Sequence, residues 1–80
     1  KADGQLTFGR NAGEGVFVVN DKSVSRRHCC MTAKNGKLLL SDLNSSNHTY
    51  LNGSQVYQET EVHNGDTIKI GNVKLKIYFR

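Results

Sequence analysis

The chain has no proline and no tryptophan, two cysteines, one methionine, three tyrosines and three phenylalanines among 80 residues. Each shortage excludes something. No apolar run approaches the ~18 residues that a membrane-spanning helix needs. Lys1 opens a polar stretch rather than an apolar core, so the start does not read as a signal peptide. Cys29 and Cys30 are direct neighbours, which rules out a disulfide scaffold and fits a reducing compartment, hence a cytoplasmic setting. The two cysteines also lack the spacing of a structural zinc site, so with His28, His48 and His63 they form no metal set, and the pair reads as small apolar packing on a strand. Few aromatics argue against an exposed stacking platform for single-stranded nucleic acid. Apolar residues are scarce at 36%, but charged residues are only 22%, outside the disordered range. The length allows one small domain, residues 1–80, which reads as a piece cut from a larger protein.

What the chain has in abundance is turn chemistry. Gly, Asn, Ser and Asp make up 26 of the 80 residues. Asn-Gly, whose residues suit the positive-φ positions of a tight hairpin turn, occurs at Asn35-Gly36, Asn52-Gly53 and Asn64-Gly65. Between the turns the apolar residues alternate. Val73, Leu75, Ile77 and Phe79 face one way and Lys74, Lys76, Tyr78 and Arg80 the other, a half-buried strand with a basic outer face. Ile68 and Ile70, Leu38 and Leu40, and Leu6 and Phe8 repeat the pattern. Val16–Val19 is a continuous apolar run, which reads as a strand buried on both faces, and His28–Thr32 as a further short strand. Residues 54–64 lack helical periodicity and read as a strand, a loop and the approach to the next hairpin. Short, closely spaced strands predict an all-β, two-sheet antiparallel sandwich.

The connecting segments hold the chemistry. Arg10–Gly15, Asn20–Arg27 and Asn44–Thr49 are rich in guanidinium groups, hydroxyls and amides, and loops on a rigid β scaffold commonly carry function. The net charge of +4 resides in the first half, and no Asp or Glu lies between Lys22 and Lys37. Such loops suit a compact anion with a hydrogen-bonding chain attached. Asp42 and Asp66 read as turn residues that bond backbone amides. Lys69, Lys74 and Lys76 read as a solvated strand face that also discourages sheet-edge pairing.

Phe8-Gly9-Arg10, Ser25-Arg26-Arg27-His28, Leu40-Ser41-Asp42-Leu43 leading into Ser46-Asn47-His48-Thr49, Leu51-Asn52-Gly53, and Asn64-Gly65-Asp66 with Ile68-Lys69-Ile70-Gly71 occur in an order that resembles the forkhead-associated (FHA) domain, a phosphothreonine-binding module. The resemblance implies a β-sandwich with a phosphopeptide across loops at one end. It implies that Arg10 pairs with the phosphate, Ser25 donates its hydroxyl to it, Arg26 adds a second positive group, Ser46 helps hold the phosphate, and Asn47 bonds the peptide backbone. His28 and Thr49 would brace the loops. A phosphothreonine carries about −1.5 to −2 charge and three acceptor oxygens, which the planar fork of arginine and serine hydroxyls suit. One position departs from the pattern: His48 stands where the family usually has glycine. Either the loop differs there, or His48 takes a positive φ.

The expected function is therefore a phosphothreonine-dependent protein–protein interaction module, monomeric as an isolated domain, with no catalysis, cofactor, metal, nucleic acid or membrane insertion. An FHA fold that binds a partner independently of phosphate and a basic nucleic-acid-binding β domain are the alternatives. Ser25, His28 and Asp42 hold the atoms of a catalytic triad, but the FHA pattern accounts for Ser25 and His28, and no nucleophile-elbow sequence exists. Specificity beyond the phosphothreonine would fall to Ser23, Asn44 and the Asn72 turn, none of them charged, which predicts no strong demand for an acidic residue in the ligand.

Overall fold

A computed structural model describes residues 4–79; Lys1 and Arg80 lie outside the described residues. Among the described residues nine strands run in chain order: β1 (Gly4–Gly9), β2 (Val16–Val18), β3 (Cys29–Lys34), β4 (Lys37–Asp42), β5 (Thr49–Leu51), β6 (Ser54–Gln55), β7 (Thr60–Val62), β8 (Thr67–Ile70) and β9 (Val73–Lys76). They form a five-stranded sheet, β2-β1-β3-β4-β7, and a four-stranded sheet, β6-β5-β8-β9. Among the described residues no helix is long and apolar enough to cross a membrane. The sandwich is as expected, with one ladder of the other sense: β2 runs parallel to β1.

Register places the apolar residues on the inner faces. Phe8 opposes Cys29, and Met31 opposes Leu40, so these side chains share one face of the five-stranded sheet. On the other sheet Ile68 and Ile70 sit between Leu75 and Val73 on one side and Leu51 and Thr49 on the other. Leu40, Val62, Ile68, Ile70, Val24 and Cys29 are almost wholly buried and join both sheets in one core. Burying a side chain such as Leu40 contributes about 1.5–3 kcal/mol. Cys29 belongs to that core and its neighbour Cys30 faces the other way; both are buried free thiols.

Two of the three Asn-Gly pairs make the expected hairpins. Asn35 (φ 53°) and Gly36 (φ 77°) join β3 to β4, and Asn52 (φ 50°) and Gly53 (φ 88°) join β5 to β6. The third does not. Asn64-Gly65 connects β7 in one sheet to β8 in the other, so no hairpin forms. Here only Gly65 has positive φ (90°), and the Asp66 amide donates to the His63 carbonyl, the pattern of a type II turn. Asp66 closes this turn by accepting from the His63 amide at 2.8 Å. The β8–β9 hairpin is instead made by Gly71-Asn72, with Gly71 at φ 60°.

A second correction concerns Val16–Val19. The run is not buried on both faces: Phe17 and Val18 are half exposed, and only Val19 is buried. Among the described residues the strand lies at the sheet edge and pairs with β1 alone, so no strand covers its other flank. Phe17 recovers some contact by meeting the Phe8 ring edge-on at a centroid distance of 5.5 Å. The last strand also ends earlier than the alternation predicts, at Lys76, with Tyr78 and Phe79 exposed beyond it.

Candidate functional site

The β1–β2, β2–β3 and β4–β5 loops converge on an open groove of about 370 Å³ lined by Arg10, Lys22, Ser23, Val24, Ser25, Arg26, Arg27, Ser46 and Asn47. All five residues expected to touch the ligand, Arg10, Ser25, Arg26, Ser46 and Asn47, therefore lie together.

Gly9 explains how. A Cβ at that position would collide with the Arg26 carbonyl oxygen, so only glycine lets the end of β1 pass against the Ser25–Arg27 backbone. The Arg10 amide then donates to the Ser25 carbonyl at 3.0 Å, which sets the two residues side by side. Ser25 does two jobs. Its hydroxyl oxygen accepts from the Ser46 amide at 3.0 Å, leaving the hydroxyl hydrogen free to donate elsewhere. The Asn47 amide nitrogen donates to the Ser23 carbonyl at 2.8 Å, which ties the β4–β5 loop to the β2–β3 loop. One Asn47 N–H and its carbonyl oxygen remain for a ligand.

His28 sits beneath this arrangement with no exposure. Its Nδ1 accepts from the Ser25 amide at 3.1 Å, and its Nε2 lies 2.7 Å from the His48 carbonyl oxygen. An amide can only donate and a carbonyl can only accept, so the ring is the neutral tautomer with hydrogen on Nε2. The histidine thus joins two ligand loops without facing the groove. Thr49, equally buried, donates to Asp42 Oδ1 at 2.6 Å. Asp42 also accepts from the Ser45 hydroxyl at 2.5 Å and the Ser45 amide at 3.1 Å. Burial pushes the Asp42 carboxyl up, but the bonds from Ser45 and Thr49 outweigh it and hold the group below the usual carboxylate range. Asp42 is thus more than an amide-bonding turn residue: it gathers both hydroxyls.

His48 adopts φ 66°, so it takes the left-handed conformation that glycine favours. Arg27 is not simply solvated. Its guanidinium reaches the carbonyl oxygens of Asn11 at 3.5 Å and Arg26 at 3.4 Å, bracing the β1–β2 loop. Lys22 also lines the groove, although no motif of the sequence singles it out. On the outer face of the four-stranded sheet, Lys69 stacks over the Tyr50 ring at 5.6 Å and stands opposite Lys74.

A family model described as the FHA domain matches residues 6–71. The chain is 36% identical to the FHA domain-containing protein FhaA of Mycobacterium tuberculosis, over 91% of this chain and 14% of that protein. It is 32% identical to an FHA domain-containing protein of Arabidopsis thaliana, over 89% of this chain and 19% of the relative. It therefore spans less than a fifth of the length of these two relatives. Among solved structures it is similar to an FHA domain studied for phosphothreonine-dependent interactions, with a TM-score of 0.88 and 33% identity over 98% of this chain and 79% of that one.

Proposed function

The chain belongs to the FHA domain family, and on that premise we propose that its groove binds a phosphothreonine-containing segment of a partner protein. The family is one of binding modules, and this chain acts by recognition rather than by catalysis. The observation that carries the assignment is the pairing of Arg10 with Ser25 at the mouth of a groove that no carboxylate lines among the described residues. The Arg10 side chain makes no hydrogen bond or ion pair among the described residues, so its fork is available to two phosphate oxygens. The free hydrogen of the Ser25 hydroxyl supplies a further donor, Arg26 adds charge, and the Ser46 hydroxyl lies on the same rim. Asn47 offers its carbonyl oxygen and remaining N–H to the extended peptide backbone. His28 and Thr49 hold the loops from below.

The same reading makes residues 1–80 one module of a longer protein, working as a monomer in the cytoplasm where a threonine kinase can supply its ligand. A phosphate-independent partner is less well supported. With His48 in place of glycine, the Ser25–Ser46 and Asn47–Ser23 bonds that shape the phosphate site are present.

The test is calorimetric titration with a degenerate phosphothreonine peptide library, beside its unphosphorylated and phosphoserine counterparts, on wild type and Arg10→Ala. Wild type binds the phosphothreonine pool. Arg10→Ala stays folded, because the side chain is exposed, and loses about 2–5 kcal/mol of binding. Equal binding of phosphorylated and unphosphorylated pools by folded wild type would overturn the assignment.

A further inference from the structure

The groove holds more positive charge than one phosphate requires. Arg10, Lys22, Arg26 and Arg27 all line it, and among the described residues no Asp or Glu does. A phosphothreonine brings about −1.5 to −2. Arg10 and Arg26 can match that charge, and Arg27 is turned toward the carbonyl oxygens of Asn11 and Arg26. Lys22 is left over. Its side chain is exposed and makes no hydrogen bond or ion pair among the described residues.

The backbone that carries Lys22 is unusually well held for a loop. Asp21 and Val24 close a tight turn around it, the Val24 amide donating to the Asp21 carbonyl at 3.0 Å. The Asp21 carboxylate accepts from the Ser23 amide at 3.0 Å and from the Ser23 hydroxyl, an Asx-turn. The Ser23 hydroxyl oxygen accepts from the Asn72 amide at 2.7 Å, and the Ser23 carbonyl accepts from Asn47 at 2.8 Å. Val24, almost wholly buried, pins the turn to the core. The nearest carboxylate in sequence is therefore committed to Ser23, and no ion pair joins it to Lys22. The result is a cation that makes no hydrogen bond or ion pair among the described residues and acts only through space on Asp21, presented over the groove from a fixed turn.

Resting on the phosphothreonine reading, we propose that Lys22 is a specificity-determining residue that selects ligands carrying a second negative group near the phosphothreonine. An acidic side chain and a second phosphorylated residue share that chemistry. This replaces the expectation of indifference to acidic residues, which considered Ser23, Asn44 and Asn72 but not Lys22.

The test uses the whole chain and a fixed phosphothreonine peptide with neutral flanks. Variants place glutamate or phosphoserine at each of the flanking positions in turn, and a control carries the glutamates on unphosphorylated threonine. Titrations compare wild type, Lys22→Gln, and Lys69→Gln as a loss of the same charge outside the groove. At one or more positions wild type gains roughly two- to fivefold in affinity from the second negative group, the range of a solvent-exposed ion pair. Lys22→Gln loses that gain but still binds the neutral-flanked peptide, and Lys69→Gln keeps it. A gain from phosphoserine without one from glutamate identifies a second phosphate as the source. Equal binding of all phosphothreonine peptides by wild type, or equal loss in Lys22→Gln and Lys69→Gln, overturns the proposal while the phosphothreonine assignment stands. Failure of every phosphothreonine peptide overturns the assignment itself.

Discussion

Single residues in this site divide by what their side chains already do. His48 does its work through its backbone: its carbonyl receives the His28 ring and its φ of 66° turns the loop. A left-handed residue with a Cβ costs about 1–2 kcal/mol, of which glycine's greater unfolded freedom returns about 0.5–1 kcal/mol. His48→Gly should therefore raise stability by about 0.5 kcal/mol, and the β-branched His48→Val should lower it by about 1 kcal/mol or more. Urea denaturation of the two variants reads the difference, and equal midpoints would refute it. Asp42 contributes to the acid dependence of stability. Its carboxyl titrates below its ordinary value of 3.8 in the folded chain because Ser45 and Thr49 donate to it, despite burial. The unfolded state thus takes up the proton first, so this stabilisation is complete well above pH 4 and is lost as the pH falls through the lower folded value. Asp42→Asn should be less stable than wild type at pH 7 and should show a flatter acid limb below pH 4. Parallel acid limbs would exclude Asp42 as the cause.

At the scale of elements, the site depends on β1 ending against the β2–β3 loop. Gly9→Ala forces its methyl group onto the Arg26 carbonyl oxygen, a backbone atom that cannot swing away. A loss of about 1–3 kcal/mol is expected, as for other overpacked positions, accompanied by weaker phosphopeptide binding as Arg10 and Ser25 separate. Full affinity in a folded Gly9→Ala variant would show that their spacing is not critical. The same scale separates what was legible in the chain from what was not. Asn35-Gly36 and Asn52-Gly53 were readable because a two-residue hairpin is decided by its own residues. Asn64-Gly65 has identical chemistry, yet it crosses between sheets, and which sheet a strand joins is set by partners distant in sequence. Phe17 and Val18 misled for the same reason, since an apolar run does not reveal that its strand lies at an edge. Arg10, Ser25, Arg26, Ser46 and Asn47 were legible through their ordered motifs, whereas Lys22 was hidden because an Asx-turn, rather than any contact of its own, aims it.

For the whole molecule, one core shared by both sheets governs access to the interior. Cys29 lies in that core with no exposure, and burial pushes its thiol up to about 12, with the nearby Asp42 and Cys30 adding to the shift. Cys30 is shielded on the other side of β3. A thiol reagent at pH 8 should therefore leave both cysteines unmodified in the folded protein and label both in denaturant. Prompt labelling in native buffer would mean that the β3–β4 hairpin opens independently of the rest. The Ser23–Asn72 bond extends this unity to the groove, because Asn72 belongs to the tip of the β8–β9 hairpin while Ser23 belongs to a loop of the opposite sheet. A ligand that rests on the Ser23 loop thereby also holds the seam between the sheets. Slower hydrogen exchange at the Asn72 amide, which donates to the Ser23 hydroxyl at the groove, becomes the signature by which occupancy can be followed.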